Sequence, residues 1–146
     1  MSYLADSNIL SRLAQPQNPH HAVARRAIIT LRQQGEEICL VPQNLIEFWA
    51  VATRPITSNG LGLTIDETEY EVRKFKLLFT VYDDIPNIFA GWEKLVLKHN
   101  VSGKNVHDTR LVAAMLTHNI THLLTFNVKD FKRFTEIITV DPQSVK

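Results

Sequence analysis

Four acidic residues stand where short apolar runs give out or helices begin. Asp6 follows Tyr3-Leu4-Ala5, and Glu47 lies in the helical segment after Ile38-Cys39-Leu40-Val41. Asp108 precedes the apolar stretch Leu111-Val112-Ala113-Ala114-Met115-Leu116, and Asp130 follows Asn127, which closes the run His122-Leu123-Leu124-Thr125-Phe126. Each has an ordinary structural reading. Asp6 before Ser7-Asn8 suits a turn or helix cap. Glu47 suits a helix surface, Asp108 an acid in a first helical turn, and Asp130 a solvated partner of Lys129 or Lys132. Together they suggest chemistry, because clustered carboxylates raise one another's pKa unless a cation neutralises them. The donors Asp6, Glu47, Asp108, Asn127 and Asp130 are all oxygen, with no cysteine or histidine at ligand spacing, which points to Mg²⁺ or Mn²⁺ and away from zinc. Of the six histidines only His107, beside Asp108, falls near the acids.

The elements that must position these groups read as an alternation of strands and helices. Tyr3-Leu4-Ala5 and Ile38 to Val41 are uninterrupted apolar runs, as expected of strands buried on both faces of a parallel sheet. A short helix over Ile9 to Leu13 is broken by Gln15-Pro16-Gln17-Asn18-Pro19. Asn18 as cap and Pro19 in the first turn open a helix to about Arg32, stopped at Gly35. Leu45, Phe48, Trp49 and Ala52 fall at helical spacing within Gln43 to Thr53, closed by Pro55. Ile56 to Leu63 is a loop; Thr64 and Glu67 form a capping box for a helix from Ile65 to about Leu78. A strand over Phe79 to Tyr82, a helix from Pro86 to His99 and a turn at Ser102-Gly103-Lys104 follow. Asn105 caps a buried helix ended by a left-handed Asn119. His122 to Phe126 and Glu136 to Val140 are the last strands, with a loop and one helical turn between. This order predicts one α/β domain over residues 1–146, a three-layer sandwich around a mainly parallel sheet. Ligands of such sheets sit beyond the carboxyl ends of the strands, where connections diverge, and all four acids fall at that edge.

Composition narrows the function without deciding it. The chain has 146 residues, 45% hydrophobic, with 16 Lys+Arg against 15 Asp+Glu, so no global charge draws it to nucleic acid or membrane. The one cysteine, Cys39, lies in an apolar run and is expected to be a buried core thiol. No apolar stretch approaches the roughly 20 residues that span a bilayer, and the N-terminus lacks a secretion signal, so a cytoplasmic location is expected.

Four segments in series resemble a known family. Tyr3-Leu4-Ala5-Asp6-Ser7-Asn8-Ile9-Leu10, Asn44-Leu45-Ile46-Glu47-Phe48-Trp49, Val106-His107-Asp108-Thr109-Arg110-Leu111-Val112-Ala113-Ala114 and Leu124-Thr125-Phe126-Asn127-Val128-Lys129-Asp130-Phe131 look like the successive motifs of PIN domains, in particular VapC-type toxin nucleases. The resemblance implies a PIN-like fold and metal-dependent hydrolysis of RNA phosphodiesters with water as nucleophile. It implies Asp6, Glu47 and Asp108 as acidic ligands, with Ser7, helped by Asn8, where the family has a hydroxyl supporting the metal's ligands. The fourth acid departs from the pattern: Asn127 stands where the family often has Asp, and Asp130 can substitute. Lys104, Arg110, Lys129, Lys132 and Arg133 are the basic residues near these motifs for an RNA backbone. A small antitoxin partner and a homodimer are further implications, with the Trp49 to Leu63 region and the helix after Thr64 as candidate partner surfaces.

Other classes stay open. A degenerate PIN domain that binds RNA without cutting it is encouraged by Asn127. An aspartyl-nucleophile phosphatase would want a second acid at Asn8, and a receiver-like switch would want paired acids near the first strand, whereas the acidic doublets are Glu36-Glu37 and Asp83-Asp84.

Overall fold

The computed structural model describes all residues 1–146. Five strands, β1 (Ser2–Ala5), β2 (Glu37–Leu40), β3 (Thr80–Val81), β4 (His122–Leu124) and β5 (Ile138–Val140), form one sheet in the order β3-β2-β1-β4-β5. Every pairing is parallel. Tyr3 pairs with Ile38 on one side and His122 on the other, so β1 is the centre of the sheet.

The continuous apolar runs are explained by what lies on each face. Side chains alternate along a strand. Leu4, Cys39, Val41 and Leu123 enter a core shared with α5 (Asn87–Lys98) and α6 (Asn105–Thr117), whereas Ala5, Ile38, Leu40 and Leu124 enter a second core. That second core is shared with α1 (Ser7–Leu13), α2 (His21–Gln33), α3 (Pro42–Thr53) and α4 (Ile65–Leu78). The result is the three-layer α/β sandwich expected of the sequence, with helices on both faces. Cys39 is fully buried, its thiol 3.3 Å from the Tyr3 carbonyl oxygen. Burial pushes that thiol up to about 12, which leaves it without nucleophilic character. No helix is long and apolar enough to cross a membrane.

Several boundaries differ from the sequence reading, each for a local reason. Asn18 does not cap α2. Its Oδ1 accepts the His20 amide at 2.9 Å and its carbonyl accepts the His21 amide at 3.0 Å, so Asn18 closes a turn and the helix starts at His21. Asn105 is the first residue of α6 and not its cap; its carbonyl accepts the Thr109 hydroxyl at 2.9 Å. α1 starts earlier than Ile9, because Asp6 itself is its cap. β5 starts at Ile138, after Glu136, whose side chain is bonded to Lys98 and His99. The left-handed stops at Gly35 (φ 81°) and Asn119 (φ 58°) are as expected.

Glu136 accepts Lys98 Nζ at 2.8 Å and His99 Nε2 at 2.9 Å, tying the end of α5 to the connection before β5. Burial pushes this carboxyl up, but the hydrogen bonds from Lys98 and His99 outweigh burial and bring it down to about 2. A depressed carboxyl stabilises the fold above its unfolded value of 4.5, and that contribution is lost as pH falls from there towards 2. Glu136→Gln should therefore lower the urea midpoint at pH 7, with the difference from the parent chain shrinking as pH falls below 4.5 and closing only below about 2, as read by parallel urea titrations.

Candidate active site

The sheet order makes β1 and β4 adjacent strands whose following connections leave in different directions. This opens a cleft at their carboxyl ends. Its volume is about 740 Å³, and Asp6, Glu47, Asp108, Asn127 and Asp130 all line it, with Ser7 and Asn8.

Asp6 is the deepest of the acids, 7% exposed. Its Oδ1 accepts the Ser7 amide at 2.7 Å and its Oδ2 accepts the Thr125 hydroxyl at 2.8 Å. The Thr125 hydroxyl is in turn fully used: it also accepts Asn8 Nδ2 at 3.1 Å and the Asn127 amide at 3.0 Å. With both lone pairs taken, its one proton points at Asp6. Asn8 completes the clamp, its Oδ1 accepting the Phe126 amide at 3.2 Å. β1 and β4 are thus stitched together beyond their last paired residues, and the stitching holds a carboxylate at the sheet edge.

Glu47 is placed by α3 and half-buried. Gln43, one turn earlier, donates Nε2 to Glu47 Oε2 at 3.2 Å and to the His107 carbonyl at 2.8 Å, while its Oε1 accepts Arg110 Nη1 at 3.0 Å. One buried amide therefore joins α3 to the first turn of α6, which carries Asp108. Asp130 lies in a 3₁₀ turn (Val128–Phe131) anchored by buried Phe131 and is itself exposed, as is Asn127.

The electrostatics are one-sided. None of the four acids forms an ion pair with a lysine, arginine or histidine. Burial raises the Asp6 carboxyl, opposed by Thr125 and Ser7 and reinforced by Asp130. Burial likewise raises Glu47, opposed by Gln43 and reinforced by Asp6 and Asp108. Asp108 is pushed up to about 6 by burial and by the charges of Asp6 and Asp130. The cleft is a set of mutually repelling oxygen donors short of positive charge, which is what a hard divalent cation relieves. No three acidic or histidine side chains are gathered closely enough to cage a metal as they stand. A cation there would keep part of its hydration shell, as Mg²⁺ commonly does.

The basic residues singled out from the sequence do not line this cleft. Arg110 is held by Gln43 and, at 3.4 Å, by Asp84; Lys104, Lys129, Lys132 and Arg133 are exposed around it. Arg12 and Arg54 line it instead. Thr125, Gln43 and these two arginines were not legible as site residues. The available signals were the seven-residue, two-turn spacing of Glu47 and Arg54 and the i, i+4 spacing of Gln43 and Glu47.

The PIN domain family model matches residues 3–137. No curated protein matches the sequence. Among solved structures, a chain of VapBC2 from Rickettsia felis bound to a promoter DNA fragment is 16% identical with TM-score 0.73, covering 96% of this chain and 98% of that one. A chain of VapBC-1 from nontypeable Haemophilus influenzae is 21% identical with TM-score 0.61, covering 97% and 98%. VapC20 from Mycobacterium tuberculosis, a sarcin-ricin loop cleaving toxin, is 15% identical with TM-score 0.60, covering 83% and 86%. These likenesses establish a shared fold.

Two outcomes test the site's energetics. Thr125→Val removes the donor to Asp6 in a fully buried position and should destabilise the fold by about 1–3 kcal/mol in urea titrations, with Thr125→Ser restoring most of it. A raised Asp108 pKa means the stabilisation from its neutral form is full below about 3.8 and is lost as pH rises through about 6. In EDTA, Asp108→Asn should therefore raise Tm by roughly 3 °C at pH 7.5 and leave it unchanged near pH 3.5 by calorimetry.

Proposed function

The chain belongs to the PIN domain family, and from that premise we propose that residues 1–146 form one PIN-like domain acting as an endoribonuclease dependent on Mg²⁺ or Mn²⁺, the toxin of a toxin–antitoxin pair. The observation that carries this reading is the unneutralised acid set Asp6, Glu47, Asp108 and Asp130 in one cleft, supported by the toxin complexes among the structural neighbours. Asp6, Glu47 and Asp108 are the residues that would hold the cation, with Asp130 and Asn127 at the rim. When bound, the cation supplies Lewis acidity, lowering the pKa of water and offsetting charge on the phosphoryl transition state. The chain's own part is placement. Thr125 and the Ser7 amide fix the Asp6 carboxylate, and Gln43 fixes Glu47 relative to Asp108.

An antitoxin is the proposed partner. Its surface is the apolar groove of Leu45, Ile46, Trp49, Ala50 and Val72 between α3 and α4, next to the cleft, with Ile46 66% exposed. A homodimer and a cytoplasmic location belong to the same reading, with exposed Phe89 and Leu97 on α5 available to a second copy.

A second reading, RNA binding without cleavage, is favoured by Asn127 at the rim and by the absence of a ready three-acid cage. Incubation of the purified chain with structured RNA separates the two. Cleavage with Mg²⁺ or Mn²⁺, none with EDTA, and a loss on the order of 10²-fold or more in Asp6→Asn and in Asp108→Asn are expected. Undiminished cleavage by both variants would overturn the nuclease assignment.

A further inference from the structure

The cleft is acidic at one end only. α1 and α3 flank it and pack on each other. Asp6 caps the N-terminus of α1 and Glu47 lies midway along α3, whereas Arg12 lies in the last turn of α1 and Arg54 caps the end of α3. At 1.5 Å per residue, Arg12 is roughly 9 Å from Asp6 along α1, and Arg54 roughly 10 Å from Glu47 along α3. The same wall holds Ala50 and Val51 from α3 and Asn59, Gly60 and Leu61 from the connection to α4.

Neither arginine forms an ion pair, although four carboxylates share their cleft. Arg12 Nη1 donates to the neutral Gln15 Oε1 at 2.7 Å. Arg54 is placed by the loop that folds back on it. Its carbonyl accepts the Gly62 amide at 2.9 Å, and a Cβ at Gly60 would fall 1.9 Å from that oxygen, so the wall closes against Arg54 only with glycine there. Two guanidinium groups thus stand free in a pocket whose other end repels anions.

The geometry points to Arg12 and Arg54 as a phosphate subsite, which holds a backbone phosphate of the RNA strand one or two nucleotides from the bond placed over the acids. This rests on the reading of the cleft as RNA-cleaving. Guanidinium groups bind phosphate in bidentate fashion, so the pair supplies the attraction that the carboxylates lack and sets the direction in which a strand crosses the cleft. A single bound strand then runs from the gap between α1 and α3 towards the first turn of α6.

The test uses Arg12→Gln, Arg54→Gln, the double variant and Arg54→Lys, with Arg26→Gln on the exposed face of α2 as control. A single-stranded RNA oligonucleotide is titrated by fluorescence anisotropy in EDTA at several salt concentrations, and cleavage is followed with Mg²⁺. Each Gln substitution should weaken RNA binding by about tenfold and reduce the salt slope by roughly 0.7, the double variant by about twice that slope. KM should rise with kcat nearly unchanged, and Arg54→Lys should keep the slope. A parent chain that cleaves RNA while the double variant keeps its KM and salt slope would overturn the subsite and leave the nuclease standing. Absence of both binding and cleavage in the parent chain would overturn both. Thermal melts of each variant confirm that a loss is not unfolding, and a variant that fails to melt cooperatively is replaced by its Met counterpart, which keeps the apolar stem and removes the charge.

Discussion

Negative charge held at the end of a buried strand, with no positive side chain to meet it, is the constraint on which the rest of this molecule depends. Asp6 sits where β1 leaves the sheet, and an ionised carboxylate there is costly unless its oxygens are bonded. The fold meets that cost with groups that carry no charge: one backbone amide, one hydroxyl, and the asparagine behind the hydroxyl. A lysine or arginine in the same place would have neutralised the site and closed it to a cation. Dipoles hold the carboxylate still, and the raised pKa values of Asp6, Glu47 and Asp108 record burial first and then the repulsion that remains among them.

That repulsion can persist because the scaffold on either side is rigid. Two apolar cores, one under α5 and α6 and one under α1 to α4, are clamped to opposite faces of the same short strands. The acids are carried by elements rooted in both cores: Asp6 and Glu47 by helices on one face, Asp108 by a helix on the other. Gln43 spans the gap between the two sets, touching Glu47, the His107 carbonyl and Arg110 with a single amide. Stability is spent where function needs a fixed, strained arrangement, and it is supplied by packing elsewhere.

The parts of this arrangement legible in the sequence are those governed by period and composition. Doubly buried strands announce themselves as unbroken apolar runs, so the three-layer sandwich and the position of Asp6 and Asn127 just beyond the ends of β1 and β4 could be read directly, as could the placing of Glu47 and Asp108 on helices. Thr125 was read only as a strand residue, because its importance lies in a hydrogen bond to a side chain 119 positions away, and no local pattern encodes that. Asn18 and Asn105 misled for the opposite reason: the same side chain that caps a helix also closes a turn, and the backbone around it decides between them. Basic residues near the motifs in sequence lie outside the lining of the cleft: Arg110 is turned to Gln43 and Asp84, and Lys104, Lys129, Lys132 and Arg133 are exposed.

The helical period also shows why the two arginines matter. Seven residues are close to two full turns, so Glu47 and Arg54 share one face of α3, just as Asp6 and Arg12 border the same groove along α1. An acid and a base whose backbones are roughly 10 Å apart along a helix form no ion pair here, yet both border a cleft that a single extended polyanion could span. Closer spacing would have produced ion pairs and an inert groove. The separation keeps one end short of cations and the other short of anions, and on the proposed reading a strand of phosphates with a hard cation at one of them would satisfy both at once.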